Sequence, residues 1–102
     1  MAYIIRNLGS SYEVVLADSF TATDNAVVRE LIDVFNHAGG GSRCVLVMER
    51  LKSIDSDGLE MLILLSDMAQ SKGVTLTIRR PRGQVKEMLG LAGIDKIIPI
   101  ET

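Results

Sequence analysis

The chain has 102 residues with 13 acidic and 11 basic side chains, a net charge of −2 and 47% hydrophobic residues. This balance is typical of a packed globular domain, and it supplies no cationic field for nucleic acid or an anionic lipid surface. The single Cys44 and the single His37 exclude an intramolecular disulfide and a Cys/His zinc site. No apolar run approaches the ~20 residues of a membrane-spanning helix, and the start lacks a signal-peptide pattern. We therefore expect one soluble, cytoplasmic domain over residues 1–102, without membrane insertion, metal or cofactor.

The first third of the chain predicts a β-hairpin followed by a helix. Residues 3–6 and 12–17 are rich in β-branched and aromatic side chains and flank a glycine-containing loop, as in a hairpin. Three apolar residues then recur at helical spacing: Val27, Leu31 and Phe35. We expect Thr21 or Thr23 to cap the start of this helix, and Gly39–Gly41 to end it.

The rest of the chain alternates predicted strands and helices. A continuous apolar run with two β-branched valines, 44–48, is typical of a strand buried on both faces. A helix is predicted over 58–72, a strand over 74–78 and a helix over 84–91. The last predicted strand, 97–100, contains Pro99, which cannot donate a hydrogen bond to a neighbouring strand. We therefore expect either that this strand lies at an edge of the sheet or that Pro99 marks the end of the strand. This alternation implies parallel strands joined by crossover helices, so the predicted fold is α/β, with a mixed sheet and an N-terminal hairpin.

Acidic residues crowd the segment between the buried strand and the second helix. Asp55, Asp57 and Glu60 stand around Ser56, in a predicted loop over 51–60 at the carboxyl end of a strand, where functional residues concentrate. Asp57 and Glu60 have nearly the spacing of a capping box, and acidic side chains are favoured at a helix start. From the residues alone, the segment is either a helix cap or a functional loop.

Two segments, one after the buried strand and one in the tail, carry a family pattern. The first is the run Ile54–Leu59. The second spans a helix, a glycine corner and a last strand through the residues Pro81, Val85, Leu89, Leu91, Gly93, Ile94 and Ile97. Together they resemble the STAS domains, and among these the bacterial anti-sigma factor antagonists. The resemblance implies a STAS-like mixed sheet with an N-terminal hairpin, parallel strands and helices packed on the sheet.

The resemblance also implies a phosphorylation switch and no catalysis by this chain. By position, Ser56 is the residue that a partner kinase phosphorylates, and that histidine-kinase-like serine kinase is also the anti-sigma factor. The unphosphorylated antagonist binds this partner, phosphorylation breaks the complex, and a serine phosphatase restores it. The implied partner-binding residues surround the acceptor: Asp55, Ser56, Asp57, Gly58, Leu59 and Met61.

Two positions depart from the family pattern. Asp57 stands where the family usually has Ser or Thr, and Thr21 stands where it usually has an acidic residue. A second hypothesis therefore keeps the STAS module as a constitutive docking subunit without phosphorylation. It would act in a lipid-transport complex or in a switch outside sigma-factor control, with its surface around Leu59, Met61 and Met68.

A third hypothesis makes Ser56 the nucleophile of an enzyme, which needs a base. The only histidine is His37, and Lys52 and Asp55 are the other candidates, although nothing in the sequence orients either of them. His37 stands at the predicted end of the first helix, where a cation is commonly stabilising.

The basic run Arg79–Arg82 is expected to be either a solvated loop or a contact for an acidic partner. Both a monomer and a weak dimer are compatible with these features.

Overall fold

The computed structural model describes residues 1–102, in which five strands form one sheet in the order β1-β2-β3-β4-β5. The elements are β1 (Ala2–Asn7), β2 (Ser11–Phe20), α1 (Asn25–His37), β3 (Arg43–Ile54), α2 (Ser56–Ser71), β4 (Thr75–Arg79), α3 (Gly83–Leu91), a 3-10 turn (Ile94–Lys96) and β5 (Ile100–Glu101). β1 pairs antiparallel with β2, and the other neighbours pair in parallel. The predicted α/β fold with a mixed sheet and an N-terminal hairpin is confirmed.

The three helices share one face of the sheet. Each crossover advances in the same direction through the order β2-β3-β4-β5, and because parallel crossovers are right-handed, the helices lie on the same side. Residues of the central strand that point to this side are fully buried: Cys44, Leu46 and Met48. The helical stripe of Val27, Leu31 and Phe35 is buried as predicted. No helix in the fold has the length and apolarity needed to cross a bilayer.

Charged side chains form a row of ion pairs on the opposite face. Arg79 of β4 contacts Glu13 of β2 at 3.4 Å and Glu101 of β5 at 3.0 Å. Arg6 of β1 extends the row to Glu13 at 3.2 Å, and Arg43 of β3 lies 3.8 Å from Glu101. The row therefore links all five strands on the face that the helices leave open.

The β3 strand is longer than its sequence pattern indicates. The predicted strand ends at Met48 because exposed charged residues interrupt the apolar run there. β2 nevertheless keeps pairing with β3 until Phe20 stands opposite Ile54. The predicted loop over 51–60 is therefore wrong, since Asp55 alone separates the strand from the helix.

Two smaller predictions are also wrong. The predicted last strand covers 97–100, but the Ile97 N–H donates to the Ile94 carbonyl in the 3-10 turn, and β5 begins only at Ile100. The residue at the start of α1 is Asp24, whose carboxylate accepts from the backbone N–H of Thr21 at 2.8 Å. Neither predicted threonine caps the helix, because this carboxylate fixes the preceding turn instead.

Candidate functional site

The junction between β3 and α2 is built by one capping carboxylate. Asp55 has an extended backbone, and its Oδ1 accepts from the N–H of Gly58 at 2.8 Å. Its own carbonyl accepts from the N–H of Leu59 at 3.0 Å, which is the first bond of the helix. The expected capping box of Asp57 and Glu60 is therefore wrong, because Asp55 occupies the cap position.

Ser56 is the first residue of α2, and its side chain is exposed. No hydrogen bond within the chain engages its hydroxyl. The capping bond at this helix start joins Asp55 to Gly58 and does not involve Ser56. The first turn of a helix presents N–H groups and a partial positive charge, and α2 is 16 residues long. The hydroxyl is therefore accessible, and an anion attached to it would be held at the favourable end of the helix.

Gly58 is required by a close backbone approach. An added Cβ would lie 2.4 Å from the carbonyl oxygen of Phe20 and 2.8 Å from the Cγ1 of Ile54. The same Phe20 carbonyl accepts from the N–H of Asp55 at 3.3 Å. The end of β2 thus lies directly against the start of α2, and only glycine fits at this helical position.

The six predicted partner-binding residues divide into surface and interior positions. Asp55, Ser56 and Asp57 are exposed, and Met61 is half-buried. Gly58 and Leu59 are buried, the latter at 8% exposure within the core. These two residues fix the start of the helix and present little surface to solvent.

Gln84 of α3 is a part of this site that the sequence does not indicate. Its side-chain Oε1 accepts from the N–H of Ile54 at 3.0 Å, and its Nε2 donates to the carbonyl of Ile54 at 3.1 Å. β4 pairs with β3 only as far as Val47, so the end of β3 has no strand on that side. The Gln84 amide satisfies the backbone in its place, one residue before Asp55.

A further carboxylate lies at the corner that follows β2. Asp24 accepts from both the N–H and the hydroxyl of Thr21. Partial burial by itself raises the pKa of Asp24, but the bond from the Thr21 backbone and the ammonium group of Met1 outweigh it, so the pKa is lowered. Thr21, the position at which the sequence lacks the expected acid, is thus bound by an acid three residues later in the chain.

Ser56 and His37, the nucleophile and the histidine base of the enzyme hypothesis, do not form a pair. His37 is the last residue of α1 and leads through Gly39–Gly41 to the start of β3, whereas Ser56 follows the end of β3. The two side chains therefore stand at opposite ends of that strand. The Nδ1 of His37 instead lies 2.8 Å from the carbonyl oxygen of Asp33, one turn earlier. No group of three potential metal ligands is brought together in the chain.

A family model described as Mlab, STAS domain matches residues 5–99. The chain belongs to the STAS domain family. The match covers the β3–α2 junction, the α3 region and the tail, so the resemblance carried by residues 54–59 and by the tail is confirmed. Among curated protein sequences, none matches this STAS protein significantly.

Solved structures share the fold over nearly the whole chain. TM1081 of Thermotoga maritima, a candidate anti-sigma factor antagonist, superposes with a TM-score of 0.86 at 18% identity, covering 98% of this chain and 86% of its own. The unphosphorylated form of the anti-sigma factor antagonist SpoIIAA gives 0.81 at 12% identity, covering 99% and 89%. SpoIIAA of Bacillus in its phosphorylated form gives 0.73 at 12% identity, covering 99% and 92%. At these identities the likeness establishes the fold.

Proposed function

We propose that this STAS protein is an anti-sigma factor antagonist that exchanges partners under control of phosphorylation at Ser56. Unphosphorylated, it binds a histidine-kinase-like serine kinase that is also the anti-sigma factor, in the cytoplasm. Phosphorylation of Ser56 by that kinase releases the complex, and a serine phosphatase restores it. The observation that carries the proposal is the exposed, unbonded Ser56 hydroxyl at the first position of α2 in a STAS domain.

The fold supports a role in which modification changes binding without refolding. SpoIIAA has this fold in both unphosphorylated and phosphorylated forms. In this chain, a phosphoryl group on Ser56 would meet the N–H groups of the first turn of α2, which favour an anion. The domain therefore tolerates the modification, and its effect falls on the surface that a partner would cover.

The charge of one phosphoryl group is large for this molecule. It adds about −1.5 to −2 charges at neutral pH to a chain with a net charge of −2, and so roughly doubles the charge. In an interface, repulsion and poor desolvation cost several kcal/mol, and ~1.4 kcal/mol changes affinity tenfold. Asp55 and Asp57, both exposed, place further negative charge on either side of the acceptor. They therefore add to the repulsion between the phosphorylated surface and acidic groups of a partner.

A second candidate function is a constitutive STAS docking subunit of another pathway, a lipid-transport complex or a switch outside sigma-factor control. It is favoured by the outer surface of α2, which exposes Ile63 at 38% and Leu64 at 45%. Met61 and Met68 are half-buried beside them, and flexible methionines suit adaptable contacts. Leu59, expected in this surface, faces the core.

The decisive experiment combines partner capture with phosphorylation. The tagged chain is used to capture its partner from native lysate, and the purified partner is incubated with the chain and ATP. We expect an ATPase of the histidine-kinase-like class, one added phosphoryl mass on the chain, and loss of that mass in Ser56→Ala. Ser53→Ala is the matched control, since Ser53 is half-buried and hydrogen-bonded to Ser19 at 2.8 Å.

Two outcomes would decide against the proposal. Phosphate mapped to Ser53 or Ser66 would reject the site. Capture of a transporter ATPase subunit, with no phosphate incorporated and no loss of binding in Ser56→Glu, would favour the docking-subunit function instead.

A further inference from the structure

Three cationic side chains surround a surface cavity at the start of α3. Arg80, Arg82 and Lys86 line this cavity of about 270 Å³, in which Glu49 is the only acidic residue. None of the three takes part in an ion pair within the chain. Arg79, the first residue of the basic run, is by contrast paired with two glutamates across the sheet. We call the first three residues the α3 basic cluster.

The backbone that carries the cluster is firmly held in an unusual conformation. Arg80 has a φ of +52°, a left-handed conformation that is costly for residues other than glycine and that is retained at functional positions more often than elsewhere. Its N–H donates to the carbonyl of Glu101 at 2.8 Å, and Pro81 behind it is buried. The turn therefore directs the cations outward from a fixed base instead of leaving them on a loose loop.

The cluster lies on the same edge of the molecule as Ser56. Gln84 stands between Arg82 and Lys86 in sequence, and its side chain binds both backbone polar groups of Ile54. Ile54 is two residues before Ser56. A protein seated on the start of α2 therefore comes within reach of the start of α3.

We infer that the α3 basic cluster is a second contact of the partner-binding surface and takes an acidic segment, carrying Asp and Glu side chains, of the protein that binds at Ser56. This inference rests on the proposed function. Carboxylates match the guanidinium groups of Arg80 and Arg82 in charge and geometry. The start of α2 beside it is acidic through Asp55 and Asp57, so the edge carries opposite charges on two neighbouring helices. Such a pattern fixes the orientation of a partner and speeds its association.

The test reverses charge in the cluster and, as a matched control, elsewhere. Arg82→Glu combined with Lys86→Glu is compared with Lys72→Glu combined with Lys96→Glu, because Lys72 and Lys96 are also exposed and unpaired. Both double variants change the net charge equally. The dissociation constant of the captured, purified kinase partner is measured for each at about 0.1 M and 1 M salt.

We expect the cluster variant to bind about tenfold or more weakly at low salt, and the control variant within about threefold of the wild type. The difference in dissociation constant between the cluster and control variants should become smaller at 1 M salt, because the screening length falls from roughly 10 Å to 3 Å. Arg82→Gln with Lys86→Gln repeats the test without adding acid, and circular dichroism checks that each variant is folded. Equal losses in the cluster and control variants, or tighter binding by the cluster variant, would overturn the inference.

The same assay separates this inference from the function on which it rests. If phosphorylated chain and Ser56→Glu bind the partner as tightly as the wild type, the proposed switch fails. If they bind more weakly but the two charge reversals are indistinguishable, the switch stands and only the role of the α3 basic cluster is rejected.

Discussion

Two of the helices that begin at the carboxyl edge of the sheet, α2 and α3, start in different ways. α2 begins with Asp55, whose carboxylate caps the helix through Gly58, and its first turn is acidic. α3 begins after Arg82, which makes no side-chain cap bond, and its surroundings are cationic. The start of α2 is thus stabilised by its own residues. At the start of α3, by contrast, the Gln84 amide binds Ile54 of β3, and Arg82 and Lys86 are exposed to solvent. Neighbouring helix starts can therefore differ in how far their polar and charged groups are satisfied within the chain.

The largest expected effect comes from the close approach that only α2 makes. Gly58→Ala should lower the free energy of unfolding by about 2–3 kcal/mol, because the added Cβ would meet the Phe20 carbonyl at 2.4 Å. Gly90→Ala in α3 is the matched control, since an added Cβ there has nothing within 4 Å. It should be neutral or stabilising by up to ~1 kcal/mol. Urea denaturation measures both, and similar losses in the two variants would contradict the steric argument.

The cap itself provides the next comparison. Asp55→Ala should cost about 1 kcal/mol of unfolding free energy, as loss of an N-cap does, whereas Asp55→Asn retains an acceptor for the Gly58 N–H and should cost only a few tenths. Arg82→Ala removes no cap bond and should leave stability unchanged within ~0.5 kcal/mol. Thermal or urea unfolding of all three distinguishes the helix starts. A loss in Arg82→Ala as large as that in Asp55→Ala would show that the two starts are equivalent.

The link between the two helix starts is tested at Gln84. Gln84→Ala removes both hydrogen bonds to Ile54 and should cost about 0.5–1 kcal/mol, because Gln84 itself is exposed and water can replace its amide at the Ile54 backbone. The sharper measurement is amide hydrogen exchange, in which the Ile54 N–H should exchange faster while Leu46 in the same strand is unchanged. Gln84→Glu keeps the acceptor and should protect that N–H partly. Unaltered exchange at Ile54 would contradict the proposed link.

The start of α1 provides a third case, with the smallest effect. The pKa of Asp24 is lowered below its ordinary value of 3.8, so its stabilising contribution is complete above about pH 4 and is lost as pH falls through the folded-state value. Asp24→Asn should therefore flatten the decline of stability below pH 4 while changing its slope little near neutrality. Denaturation at several pH values measures this, and an unchanged acid slope would refute the assignment.

The sequence predicts the order of elements well because each element carries its own local pattern. The stripe of Val27, Leu31 and Phe35 and the buried run at 44–48 are such patterns, and both appear in the structure. The second half of β3 is not predictable in this way, because its pairing with β2 depends on residues distant in sequence.

The sequence identifies the segment that forms the candidate site, but it does not predict the contacts that build the site. The sequence singles out Ser56 and its neighbours, but it does not reveal that Gly58 packs against the backbone of Phe20. The binding of Ile54 by Gln84 spans 30 residues, and no local spacing signals it. The sequence also does not show that Arg79, part of the predicted basic run, is paired with glutamates of two other strands. Lys86 lies outside that run, and only the folding of α3 brings it to the same cavity as Arg80 and Arg82.

The position of Cys44 gives every variant above an internal reporter. It is the only thiol in the chain, it lies in the central strand at 0% exposure, and burial raises its pKa to about 12. A thiol reagent at neutral pH therefore reaches it only in molecules whose core has opened. The rate of its modification counts those rare openings directly, in native buffer and without denaturant.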